Sequence, residues 1–210
     1  MNLKSRIFIS MLILFNLHIS SGLKIANAQD SDASHLLTFG QNSSLKTRFE
    51  QWAENNKKLE SFEEFLTSNQ LLDIAPLEQL LRTATMWKQC KASEFEVPPK
   101  VNWKYMQSTL QLINALREKS VIQEYEIVSA YRNDDLNKCA GGAERSSHKV
   151  AYAIDIIPIS GTDRLCEFWK GEGREWNMGL SKYDSGRVHI DTNGYRTWGG
   201  DHTRKTSFCK

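Results

Sequence analysis

Proline is scarce in this 210-residue chain, with 4 against 12 glycines, and no stretch is dominated by a few residue types. Together with a 40% hydrophobic and 25% charged composition, that excludes a disordered, collagen-like or low-complexity protein. The length allows one or two modest domains. A surplus of basic charge is also missing. Lys4, Arg6 and Lys24 lie in a segment expected to be removed, and without them 24 of the 27 basic residues face 25 acidic ones, a net charge of −1. Displacing counterions from phosphates takes a basic surplus, so nucleic acid is not an expected partner. No apolar run reaches the roughly 20 residues needed to span a membrane. No cysteine precedes Cys90, so none stands at the cleavage site to carry a lipid, and no two cysteines have the CxxC spacing of a four-thiolate zinc site. No internal repeat is present.

What is there begins with a leader. Lys4 and Arg6 precede the apolar run Ile7–Leu17, and Ala26-Asn27-Ala28 supplies a small-x-small site, which predicts a signal peptide over 1–28 cleaved after Ala28. The mature protein is then expected to be periplasmic or secreted, free of the membrane, and a monomer. Cys90, Cys139, Cys166 and Cys209 all fall in the mature part; an even count in an exported protein points to two disulfides. Three pairings are possible, and spacing does not choose among them.

Residues 29–44 are polar without a sustained period and read as a flexible leader. From Leu45 the spacing turns helical: Leu45, Phe49, Trp52 and Leu59 share a face. Ser61 and Glu64 form a capping-box pattern opening a second helix, and Pro76 suits the first turn of a third carrying Leu77, Leu80, Leu81, Ala84 and Trp87. Residues 45–93 thus read as a small helical unit, and its place in the chain suggests it could cover one side of a cleft. Glu94–Pro99 reads as a boundary. A further helix follows, with Trp103, Met106, Leu110, Ile113 and Leu116 on one stripe. The period then changes to strands over Tyr125–Ser129, Ala151–Ile159 and Arg187–Thr192, with a short helix around Leu165–Lys170. The fold class is α+β: a small antiparallel sheet with packed helices over 94–210, preceded by the helical unit.

Polar residues concentrate in three places in this half. They are Ser129-Ala130-Tyr131-Arg132, then Ser146-Ser147-His148 with Asp155 seven residues beyond His148, and Val188-His189-Ile190-Asp191-Thr192. Asp155 sits inside Ala-Ile-Asp-Ile-Ile, and a carboxylate buried there needs an arginine, hydrogen bonds or a metal ion. Two imidazoles and a carboxylate, with water as the fourth ligand, make a common catalytic zinc site, and His148, Asp155 and His189 would supply it. Bland alternatives stand beside this. His189 and Asp191 could be the wet face of an edge strand, and Arg132 could simply neutralise Asp155.

The run Ser129-x-Tyr131-Arg132, then Gly141-Gly142-Ala143-x-x-Ser146-x-His148-x6-Asp155, then His189-x-Asp191, resembles the zinc D-Ala-D-Ala carboxypeptidase superfamily. That superfamily includes vancomycin-resistance dipeptidases, murein endopeptidases and the Hedgehog signalling domain. Gly194-Tyr195-Arg196-Thr197-Trp198-Gly199 looks like the continuation seen in an exported bacterial carboxypeptidase-like branch. The resemblance covers about 100–208 and implies Zn2+ held by His148, Asp155 and His189, with peptidoglycan stem peptides as substrate. Arg132 would face the oxyanion or the substrate carboxylate, and Ser146 and Tyr131 would lie at the substrate, Ser146 alternatively as a cap and Tyr131 as packing. Two positions depart from the pattern. Ala151 stands where the family usually has glycine, which is tolerable if the backbone there avoids positive φ. Gly186 stands where dipeptidase-type relatives carry an acid three residues before the last histidine. Asp191 is then the first choice of general base, its other role being to orient His189; Asp184 and His202 are weaker candidates. The implied chemistry is hydrolysis by a metal-activated water. The absent acid keeps a second reading open: a zinc-retaining module that binds peptidoglycan or protein without catalysis.

Overall fold

The computed structural model describes residues 44–159 and 162–210; the expected signal peptide over 1–28 and most of the polar segment after it lie outside the described residues. Helix α1 spans 44–53 and buries Leu45 and Phe49, and α2 (Leu59–Ser68) buries Leu59, Phe62 and Leu66. Ser61 does not cap α2. The helix starts two residues earlier, where packing of Leu59 outweighs a cap, and no side chain bonds its first turn. The third helix is a single turn, α3 (Leu77–Leu80), much shorter than the apolar spacing suggests. Leu81–Thr83 instead pairs with Glu94–Glu96: Thr83 N–H donates to Glu94 O and Glu96 N–H to Leu81 O. Phe95, in the stretch read as a boundary, packs against Phe49 and Trp52 at centroid distances of 5.3 and 5.7 Å.

Helix α4 (Trp103–Glu118) is the central support. Its stripe of Trp103, Met106, Leu110, Ile113 and Leu116 is buried as the spacing requires, and each such side chain contributes about 2 kcal/mol. Trp103 meets Phe62 and Phe65 of α2 at 5.3 and 5.2 Å. The helix ends in paired bonds, Val121 N–H to Leu116 O and Ser120 N–H to Arg117 O, with Ser120 left-handed at φ 53. Glycine normally takes that position. The same turn closes after Gln70, Lys91, Ala151 and Asn177, all with positive φ and none glycine. At Ala151 the left-handed conformation (φ 59) is therefore realised, and the departure from glycine there carries a steric cost.

Five strands form one sheet in the order β1-β2-β4-β3-β5: β1 Tyr125–Ser129, β2 Ala153–Pro158, β3 Gly179–Lys182, β4 Val188–Asp191 and β5 Arg196–Trp198. Three of the pairings are antiparallel as expected, but β3 and β5 run parallel, so the sheet is mixed. Strands β3 and β5 have no sequence alternation to announce them, being four and three residues long. Ile154, Ile156, Leu180, Val188 and Ile190 point into a hydrophobic cluster that also contains the α4 stripe and the α2 aromatics. Two further helices, α5 (Asp134–Cys139) and α6 (Asp163–Gly171), each carry a cysteine: Cys90–Cys139 and Cys166–Cys209 are the disulfides. Closing loops of 49 and 43 residues, each contributes about 4 kcal/mol by the chain-entropy account. No described helix is long and apolar enough to cross a membrane.

Candidate metal centre

Strand register builds the site. Ser129 on β1 is opposite Asp155 on β2, Asp155 opposite His189 on β4, His189 opposite Ser181 on β3, and Ser181 opposite Trp198 on β5. Facing partners project to the same side of a sheet, so these five form one row across the face turned away from the hydrophobic cluster. The neighbouring row runs Ala153, Asp191, Gly179, Arg196. His148 reaches the first row from a 3-10 turn, Ser147–Val150, that leads into β2.

Three atoms converge. His148 Nε2, His189 Nδ1 and Asp155 Oδ1 are 3.0–3.2 Å from one another, and all three residues are buried. Each imidazole is oriented from behind. His148 Nδ1 lies 2.6 Å from Ala130 O, and His189 Nε2 lies 2.8 Å from Asp191 Oδ2. Both outer nitrogens must donate to these oxygens, so the inner nitrogens of the neutral rings present lone pairs. Two lone pairs and a carboxylate oxygen then face one another without a donor, which requires a cation among them. Burial, reinforced by Arg132, lowers His148 to about 4. Burial also opposes charge on His189, but its hydrogen bonds to Asp155 and Asp191 outweigh it and raise its pKa. Metal-free, the raised pKa favours a proton on His189 in that place. A tetrahedral zinc ion with bonds of about 2.1 Å places adjacent ligand atoms about 3.4 Å apart, so this donor set fits the ion with little movement.

The two aspartates are held differently. Burial would raise Asp155, yet its interactions with His148 and His189 keep it well below the usual carboxylate range. Its other oxygen, Oδ2, accepts from Arg132 Nη2 at 2.8 Å, and Arg187 Nε lies 3.7 Å away. Arg132 in turn donates through Nε to Ser129 Oγ, which donates to Thr83 O. The helical N-terminal part thus supports the site from behind, and the cavity over the metal ligands takes its lining from residues between Arg132 and His202. Asp191 is saturated: Arg196 donates to both its oxygens at 2.7 and 2.9 Å, and Asn193 N–H to Oδ1 at 2.8 Å. It touches His189 on the nitrogen facing away from the converging atoms. That is the orienting position and not that of a general base. Gly179 makes room for it, since a Cβ there would overlap the Asp191 carboxylate.

Of the remaining sequence candidates, Ser146 and His202 line the cavity, which has a volume of about 470 Å³. Ser146 caps the 3-10 turn, accepting from His148 N–H at 3.4 Å, and Tyr131 is packed in the hydrophobic cluster. Gly186 closes the β3–β4 hairpin at φ 81, its N–H bonded to Tyr183 O, which is why no acid stands there. Asp184 is exposed and does not line the cavity, whereas His202 does. Sequence reasoning gave no site role to Tyr183, Arg187 or Arg196. The first two belong to the β3–β4 hairpin, whose strand β3 was not expected, and Tyr183 is pushed up to about 12 by burial and then by Asp155. No curated protein and no solved structure matches the chain. Residues 77–191, however, match the family model described as Peptidase M15. That segment is more than half of the 210 residues and contains His148, Asp155 and His189, so the chain belongs to the peptidase M15 family, the zinc D-Ala-D-Ala carboxypeptidase superfamily.

Proposed function

We propose that the chain is an exported zinc peptidase acting on peptidoglycan stem peptides, hydrolysing amide bonds beside D-amino acids as a carboxypeptidase or a murein endopeptidase. The observation that carries this reading is the convergence of His148 Nε2, His189 Nδ1 and Asp155 Oδ1 beneath an open cavity. Zinc held by these atoms would supply a Lewis acid for the scissile carbonyl and a water acidified toward neutrality. Around it, Arg132 provides a fixed positive charge where an oxyanion develops, and Tyr183, protonated at neutral pH, adds a hydrogen-bond donor. Among the described residues, the lining of the cavity includes no carboxylate. Among the described lining residues His202 is the one imidazole outside the metal ligands, and we assign it the proton transfer from water to the leaving amine. The two disulfides agree with an oxidising compartment such as the periplasm.

The test is mass spectrometry of peptidoglycan and soluble muropeptides incubated with oxidised, zinc-loaded protein. Loss of a terminal D-Ala indicates a carboxypeptidase, and opened cross-links an endopeptidase; His189→Ala abolishes either. His202→Ala should lower kcat about 100-fold with zinc content unchanged. The lack of an acid at Gly186 and among the described residues of the cavity lining favours one other reading, a zinc-retaining binding module. Unchanged muropeptides from folded, zinc-containing protein would establish that reading and remove the peptidase.

A further inference from the structure

Arg196 does more than neutralise Asp191. It stands on β5, at one edge of the sheet, opposite Gly179 on β3, and Gly179 is opposite Asp191 on β4. A strand therefore lies between the two ends of this ion pair. Strands two apart are separated by about 10 Å, and a side chain crosses that span closely only where the residue between is small. Gly179 meets the need, since a Cβ there would overlap the Asp191 carboxylate. Across the gap Arg196 reaches both histidine-bearing segments. Nη1 and Nη2 donate to Asp191 Oδ1 and Oδ2 at 2.9 and 2.7 Å, and Oδ2 also accepts from His189 Nε2 at 2.8 Å. Nη2 donates as well to Ser147 Oγ at 3.3 Å, and Ser147 immediately precedes His148 in the 3-10 turn. Nη1 donates further to Asn193 O and Gly194 O, which holds the turn between β4 and β5. Asn193 joins the same set, its Nδ2 donating to Ser147 Oγ and its backbone N–H to Asp191 Oδ1. The guanidinium rests over the Trp198 ring at 4.8 Å, and Trp198 meets the His189 ring at 5.2 Å.

We propose that Arg196 is a positioning residue for the metal centre: laid across Gly179, it ties the His148 turn to the His189 strand and so fixes the geometry in which the two imidazoles meet the ion. This rests on the zinc reading of the site and deepens it. His148 and His189 come from different elements, a turn and a strand, and a ligand pair keeps its angle only if those elements are held together. A planar guanidinium with donors in a fixed fork can hold two segments at once, whereas a lysine ammonium is a single point of charge. Groups that orient a ligating histidine typically account for 10–100-fold in metal affinity. The short strand β5 thereby serves the metal centre twice, placing Trp198 in the row of His189 and Arg196 in the row of Asp191.

The experiment uses the full-length, oxidised protein. Zinc affinity is measured by chelator competition, and the visible spectrum of the cobalt(II)-substituted protein reports ligand geometry, with thermal unfolding of the metal-free protein recorded alongside. Arg196→Lys keeps a positive charge beside Asp191 but cannot span to Ser147. It should lower zinc affinity about 10-fold and alter the cobalt spectrum, and Arg196→Gln should lower affinity about 100-fold. Ser147→Ala should weaken zinc binding in the wild-type background and add nothing in Arg196→Gln, because the tie is already cut there. Wild-type affinity and spectrum in Arg196→Lys would overturn the proposal, as would a fully additive effect of Ser147→Ala, even if both variants unfold at lower temperature. A wild-type protein that takes up neither zinc nor cobalt would overturn the zinc reading itself, and the positioning role with it.

Discussion

Asp155 and Asp191 are both fully buried, both project from the same face of the sheet, and both touch the ring of His189, one on each nitrogen. Their surroundings make them different groups. Asp155 meets two imidazole lone pairs with one oxygen and Arg132 with the other, so its site is incomplete without a cation. Asp191 meets a donated Nε2–H, a bidentate Arg196 and a backbone N–H, and lacks nothing. A buried carboxylate is therefore read by counting the donors around it: unfilled acceptors converging on a cavity make a binding site, and a filled shell makes a support.

Asp155→Asn should break the comparison at its costly end. It removes a metal ligand and leaves Arg132 buried without its counter-charge, a loss of about 3–5 kcal/mol. Elemental analysis should find no zinc, and thermal unfolding should show the lowered stability. If zinc stays stoichiometric, Asp155 is a structural ion-pair partner only. Asp191→Asn should be milder: zinc still binds, with affinity lowered about 10–100-fold in a chelator competition. Complete loss of zinc in that variant would make the two aspartates equivalent.

A pH series sharpens the same contrast. In the metal-free protein His189 has a raised pKa, so its contribution is full below its unfolded value of about 6.5 and is lost as the pH rises through the folded value. Metal replaces that proton and is favoured by higher pH. The fall in unfolding temperature caused by a chelator should therefore be larger at pH 8 than at pH 6, and a gap independent of pH would show that no proton stands in for the ion. The smallest effect is expected at Ala151→Gly. Relieving the left-handed alanine should raise stability by up to about 1 kcal/mol, less the entropy glycine gains on unfolding, as read by denaturant titration.

Much of the site was legible in local sequence. Asp155 among apolar residues demands a partner wherever it is buried, the two-residue step from His189 to Asp191 puts both on one strand face, and the Ser129 to Arg132 run ends a strand. The α4 stripe was equally plain, because a 16-residue helix repeats its apolar face often enough to be seen. Short elements were not. A three-residue or four-residue strand has no periodicity to detect, so β3, with the hairpin carrying Tyr183, Gly186 and Arg187, emerged only from pairing with β4, and β5 only from pairing with β3.

The chain by itself determined which side chains could bind a cation and that four cysteines would pair. Only the tertiary structure decided which cysteines, which nitrogen of each histidine faces inward, and which aspartate supports and which one binds. Those outcomes depend on register across five strands and on single contacts such as Gly179 against Asp191. Hydrogen-bond partners brought together from distant segments set tautomer and charge, and no local pattern of residues contains that information.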